Sequence, residues 1–253
     1  MDRSLLSQQE VIAASRDFVC IRLATYENQT EADFCAKLFT RNGALENTTY
    51  AVLTPDGKTP LVRPGRGPHY RSPAAMASVL KQISARFQSK GDSKTLAVPY
   101  MDKFDVALNV ASCDLLPLVV VSGRNQAEID AMSRSLQKPA WKSELGGQFV
   151  FAAVKETQPL KAITGLKNKQ GFLIVQPGTF GLTAHLLQRL PATATEAEIT
   201  SAMMSVAQAN RHKRKNHGSH ISLGINLGID WKTKIPVTDQ QSLRAKERHR
   251  QGR

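Results

Sequence analysis

Apolar residues along this chain follow two rhythms. Some form short, nearly unbroken runs rich in β-branched and aromatic residues, and others recur every three or four positions. Residues 7–15 (SQQEVIAAS) fit a short helix, and residues 17–25 (DFVCIRLAT) fit a largely buried strand. A turn at Tyr26-Glu27-Asn28-Gln29 leads into a predicted helix over 30–38, with Thr30 as N-cap and Glu31 and Asp33 where the helix dipole favours acids. Residues 49–53 and 61–63 flank Thr54-Pro55-Asp56-Gly57-Lys58, which predicts a hairpin whose Pro and Gly supply the turn dihedrals. Gly65 and Gly67 close that hairpin. Residues 72–87 then predict an amphipathic helix with Met76, Val79, Leu80, Ile83 and Phe87 on one face.

A polar stretch at 88–95 (QSKGDSKT) suits a linker, and the alternation begins again after it. Helices are predicted at 105–111, 126–136 and 196–209, and strands at 115–122, 149–154, 171–175 and 184–187. The expected class is therefore α/β, a central mixed sheet flanked by helices, in units of 1–90 and 91–210. Residues 211–253 read as an extended basic arm, partly disordered. Within it residues 221–229 (ISLGINLGI) are apolar and precede Trp231, which suits packing on a neighbouring subunit or on the chain's own body. Beyond Pro236 the arm is expected to be mobile.

Charge and cysteine usage narrow the function classes. Eleven of the Lys and Arg residues lie in 210–253 against three acids, so +8 of the net +13 sits in the last 44 residues. Such asymmetry points to a polyanion or an acidic partner and says little about fold. No run approaches the roughly 18 apolar residues of a membrane span. Cys20, Cys35 and Cys113 are too far apart in sequence for a CxxC redox motif or a zinc knuckle. Cys20, inside Phe18-Val19-Cys20-Ile21, reads as a small buried hydrophobe. A reduced, cytoplasmic setting is expected, and an exported chain whose leader has been removed would look the same.

The order strand, turn, helix, hairpin, terminal helix resembles that of thioredoxin-like domains. Residues 49–67 (TYAVLTPDGKTPLVRPGRG) are similar to the strand, turn, strand and glycine before the last helix of that family. The resemblance implies two tandem thioredoxin-like units, the first truncated, because about ten residues separate its first helix from Thr49. In the family the redox cysteines stand where the first central strand meets its helix, since a helix N-terminus lowers a thiol pKa. Here those junctions hold Tyr26, Glu27, Asn28 and Gln29 in the first unit, a degenerate active-site turn, and Gly123, Arg124, Asn125 and Gln126 in the second. The cis-proline of the family would fall just before Thr49, where this chain has Glu46-Asn47-Thr48. The resemblance thus implies a redox-inactive protein without a cofactor, a binding or scaffolding module that meets a protein partner or a second copy through its arm. A nucleic-acid or polyanion-associated protein is the alternative, and an enzyme with a site between the units is a third reading.

Few side chains stand out as contact candidates. Arg211, Lys213, Arg214 and Lys215 could neutralise phosphates without strict geometry. Arg66, His69 and Arg71, in a glycine-containing loop, could hold an anion or stack a base. His212, His217 and His220 have the spacing of weak metal ligands, but four adjacent cations oppose a metal ion. No Walker loop, GxGxxG, HExxH or GxSxG occurs.

Overall fold

The computed structural model describes residues 5–6, 8–21, 23, 25–41, 44–46, 49–65, 72–87, 97–142, 144–155, 159–210, 216–229 and 232–251. The chain divides into two compact units, Met1–Lys90 with Trp231–Arg253, and Gly91–Asp230. The expected third segment is thereby shared between them: residues before Trp231 belong to the second unit, and those from Trp231 onward to the first.

In the first unit, helix α1 (Gln9–Ser15) packs its buried Val11 and Ala14 toward a core that includes Leu5, Val52 and the apolar face of a later helix. Helix α2 (Gln29–Phe39) starts one residue earlier than the sequence suggests: Asn28, not Thr30, is the N-cap, and its side chain accepts the Glu31 N–H at 3.2 Å. A two-residue ladder, β1 (Thr40–Arg41) with β2 (Ala44–Leu45), follows. The expected hairpin forms as two isolated bridges, Tyr50 with Gly65 and Leu53 with Pro60. Helix α3 (Pro73–Arg86) is capped by Ser72 and buries Met76, Leu80 and Ile83 of the predicted stripe together with Ala77, while Val79 is half-buried. Phe87 departs from that stripe: it is the C-cap residue and is exposed.

The predicted strand at 17–25 does not form among the described residues. A strand needs a neighbour to take its backbone hydrogen bonds, and here only Phe18 packs on the core, while Val19 and Ile21 are 56% and 68% exposed. Cys20 is likewise exposed rather than buried, its Sγ donating to the Ser15 carbonyl at 3.6 Å.

The second unit is an α/β layer structure. Its elements are β3 (Tyr100–Met101), α4 (Phe104–Asp114), β4 (Leu118–Ser122), α5 (Gln126–Trp141), β5 (Val150–Val154), β6 (Ile163–Thr164), β7 (Gly171–Pro177), β8 (Ala184–Leu190), α6 (Glu196–Asn210) and α7 (His217–Asn226). The six strands form one mixed sheet in the order β3-β5-β4-β7-β8-β6. β4 lies parallel to β5 and antiparallel to β7, which pairs antiparallel with β8. Every residue of β4 is buried, the continuous apolar run expected of a strand covered on both faces. Alternation then sorts the side chains. Val119 and Val121 join α5 and α6 residues such as Leu136 and Met203 in one core, and Leu118 and Val120 join Ala107, Leu108 and Ala111 of α4 in the other.

Two helices lie within the segment expected to be extended. Helix α7 is capped by Asn216, which accepts the Ser219 N–H at 3.0 Å. Helix α8 (Gln240–Gln251) belongs to the first unit, and Asp239 immediately before it accepts the Ser242 N–H at 2.8 Å. No helix among the described residues is long and apolar enough to cross a membrane.

Candidate functional site

The start of α5 is where chemistry would be expected if this chain used a thiol at a helix N-terminus. β4 ends at Ser122, Gly123 donates its N–H to the Val154 carbonyl at 3.2 Å, and Asn125 caps the helix through the Glu128 N–H at 3.0 Å. Gly123 has little room above it, since a Cβ there would meet Glu128 Cβ and Ile129 Cγ1 at 3.1 Å. Arg124 donates from its N–H to Glu128 Oε2 and from Nε to Oε1, both at 2.8 Å. That pairing holds the Glu128 carboxyl below the usual carboxylate range, chiefly through the Arg124 side chain. The position that would carry a nucleophile is thus a closed guanidinium–carboxylate pair. It has neither a thiol nor a free base.

The start of α2 has a different occupant. Tyr26 Oη donates to Asp239 Oδ2 at 2.8 Å and accepts the Asp239 N–H at 3.2 Å, while the Tyr26 carbonyl accepts the Ile235 N–H at 3.0 Å. Asp239 is only 1% exposed, and a buried carboxylate requires such partners. Burial is the main cause pushing the Tyr26 phenol above its ordinary value, with Asp239 adding to it. Of the rest of the turn, Asn28 caps α2, and Gln29 Nε2 donates to Asp33 Oδ1 at 2.8 Å. The turn read as a degenerate active site therefore receives the C-terminal segment of its own chain. Glu27 makes contacts of its own.

All three cysteines are free thiols. Cys35 lies buried on α2 and its Sγ accepts the Thr25 hydroxyl at 3.7 Å. Burial pushes its thiol up, and the thiol of Cys20 shifts the same way, neighbouring atoms desolvating its sulfur although the residue as a whole is exposed. Cys113 sits in the last turn of α4, at the opposite end from the amide-rich N-terminus that stabilises thiolates.

Of the histidine group, only the His220 side chain lies within the described residues. Its ring stacks against Phe180 with centroids 4.3 Å apart. His212 and the His217 side chain fall outside the described residues, as do Arg66, His69, Arg71, Arg211, Lys213, Arg214 and Lys215. Among the described residues no group of three or more His, Cys, Asp or Glu could hold a metal ion. An open groove over α1 and α3 is lined by Glu10, Ala77, Ser78, Lys81, Gln82 and Ala85.

Phe180 and Asp239 were not legible as site residues. Phe180 has φ +61°, a left-handed conformation that nothing in Gln176-Pro177-Gly178-Thr179-Phe180-Gly181 announces. It is fixed from α4: Asn109 Nδ2 donates to the Phe180 carbonyl at 3.1 Å and Ser112 Oγ to the Gly178 carbonyl at 2.8 Å. Asp239 did carry a signal, an N-capping residue just before the good helix formers of 240–251.

No protein-family model matches this chain, and neither a curated protein nor a solved structure does.

Proposed function

We propose that this chain is a non-catalytic, thioredoxin-like binding or scaffolding protein without dithiol redox activity, and that its C-terminal arm is the contact element. The observation that carries the reading is the start of α5, where Arg124 and Glu128 neutralise one another at the position a redox thiol would need. Its support in the fold is the succession β4, α5, β5, then antiparallel β7 and β8, then α6, similar to the order of a thioredoxin-like unit but with only a short turn of helix and the two-residue β6 between β5 and β7. Raised thiols at Cys20 and Cys35 point the same way, because attack on a disulfide requires a thiolate. An insulin-type disulfide reduction assay on the full chain should give no rate above reductant alone. Turnover that disappears in Cys35→Ser would overturn the reading.

A second reading, association with a nucleic acid or another polyanion, is favoured by the concentration of +8 in the last 44 residues. It predicts oligonucleotide binding with a steep salt slope that shrinks when Arg211, Lys213, Arg214 and Lys215 are neutralised.

A further inference from the structure

Strand β8 stands next to last in its sheet, and its outer neighbour is short. On the inner side it pairs with β7 from Ala184 to Leu190. On the outer side β6 reaches only Ala184 and His185. From Leu186 to Leu190 no strand lies on that side among the described residues. About 16 Å of backbone edge is therefore left without a ladder partner, and such an edge is a template for another extended chain.

The side chains along this edge are basic. His185 and Arg189 are exposed, and Leu187 between them is 44% exposed at a bulge in the β7–β8 ladder. Pairing with Gln176 and Leu173 sets His185 and Arg189 on opposite faces of the sheet, so basic groups flank the edge on both sides. The loop between β6 and β7 adds Lys167, exposed, and Lys169, half-buried. Arg189 fastens that loop to the strand: its Nε donates to the Gln170 carbonyl at 3.2 Å, and the Gln170 N–H donates to Asn168 Oδ1 at 2.9 Å. No Asp or Glu occurs from residue 157 to residue 195. The acids that follow are engaged elsewhere, Glu196 with Lys138 and Glu198 with Thr195. Among the described residues none of these edge cations has a carboxylate partner.

We propose that the outer edge of β8 is the docking site for an extended acidic peptide of a protein partner, which adds a strand beside Leu186–Leu190. Main-chain hydrogen bonds to the edge give the added strand its register. Its carboxylates meet Arg189, Lys167 and Lys169, and an apolar side chain packs on Leu187. Charge complementarity decides between occupants. A second copy pairing edge to edge would set these cations against their own counterparts, the device by which natural sheets avoid one another. A nucleic acid would engage the cations and leave the backbone edge unused, since it carries no peptide groups to continue a ladder. An acidic strand satisfies both at once. The proposal goes beyond the arm as contact element, because every residue it uses lies in the second unit between 163 and 190.

Selection of a random peptide library, displayed on phage, against the immobilised full chain tests this, with enriched peptides resynthesised and measured by fluorescence anisotropy. They should carry Asp or Glu among β-branched and aromatic residues. N-methylation of one alternate set of their amides should weaken binding at least about tenfold and of the other set far less, because only every second residue faces the edge. Lys167→Glu should weaken binding about threefold, and Lys167→Glu with Lys169→Glu about tenfold. The single variant alters an exposed side chain, so it keeps the wild-type melt and carries the test if the double variant melts early. The proposal is overturned by a selection that enriches no acidic peptide, or by equal affinity of the two N-methylated forms, which would leave charge alone at work. Enriched peptides that bind the Lys variants as tightly as wild type overturn it as well. A thymidine oligonucleotide that binds through Lys167 where no acidic peptide does would assign the surface to nucleic acid, and a solution dimer that Leu187→Ser dissolves would assign it to a second copy. Either result overturns the proposal. The disulfide reduction assay reads none of these outcomes, so failure here leaves the redox-inactive reading standing.

Discussion

Tyr26 and Asp239, 213 residues apart in sequence, hold one another through two hydrogen bonds, Oη to Oδ2 at 2.8 Å and main-chain N to Oη at 3.2 Å. Asp239 serves two elements at once, because its Oδ1 also caps α8 through the Ser242 N–H. The first unit is therefore closed by a segment that leaves it near residue 90 and returns near residue 231.

Removing that carboxylate should loosen the tail. Asp239→Ala takes away a helix cap and a charge-assisted bond, a cost of about 2 kcal/mol to the first unit. Tyr26→Phe should cost about half as much, because the Ile235 N–H still reaches the carbonyl of residue 26. Tryptic cleavage after Arg244 and Arg248 should accelerate in the order wild type, Tyr26→Phe, Asp239→Ala. Equal cleavage rates in all three would show that the clasp does not hold α8.

Gly181 tests the turn that carries Phe180. Its φ is +69°, and a Cβ there would stand 2.5 Å from Asn109 N and 2.6 Å from the Leu108 carbonyl, main-chain atoms of α4 that cannot step aside. Gly181→Ala should destabilise the second unit by at least about 2 kcal/mol. Gly57 has a similar φ of +72° with no atom within 4 Å of the added Cβ, so Gly57→Ala carries the backbone strain alone, about 1 kcal/mol. Denaturant midpoints of the two variants separate strain from collision.

Tyr100 should give the second unit an alkaline limb. Ser133 Oγ donates to the Ile129 carbonyl at 2.7 Å, so at 2.8 Å it accepts the Tyr100 hydroxyl proton. Burial, with the charge of Asp130 adding to it, pushes the phenol up to about 12. The unfolded chain ionises it near 10. Because the folded value is the higher one, the stabilisation is complete below about pH 10 and is lost as pH rises toward 12. The stability difference between wild type and Tyr100→Phe should be constant from neutral pH to about 9 and shrink above 10. A difference that stays constant through pH 12 would contradict this.

The second unit was largely legible in sequence because its central strands β4, β5 and β7 are almost fully covered. Val119-Val120-Val121 and Phe172-Leu173-Ile174-Val175 are apolar on both faces, and no other arrangement buries them so simply. Residues 17–21 carry the same local signal, yet a ladder partner is a property of the whole fold, and Val19 and Ile21 end in solvent. α7 was hidden by Gly218 and Gly224, each costing helix stability of about 1 kcal/mol relative to alanine. The structure gives Gly224 a reason, the close approach of Phe180. α8 was masked by its charge, which suggests a solvated tail until Asp239 is seen to be buried. At the candidate site, the missing thiols were plain from residue identity. The partners of Tyr26 and Phe180 were not, because pairing across 213 residues and a positive φ at phenylalanine leave no local pattern.

Thiol reactivity tests the central claim most directly. Alkylation of the native full chain, followed residue by residue by mass spectrometry across pH, should show Cys20 and Cys35 reacting faster as pH rises through and beyond about 8.5, with no plateau near neutrality. None of the three cysteines should pair with another under mild oxidation. A cysteine already at its maximal rate at about pH 6, or a disulfide that forms and is reduced reversibly within the native chain, would contradict the account.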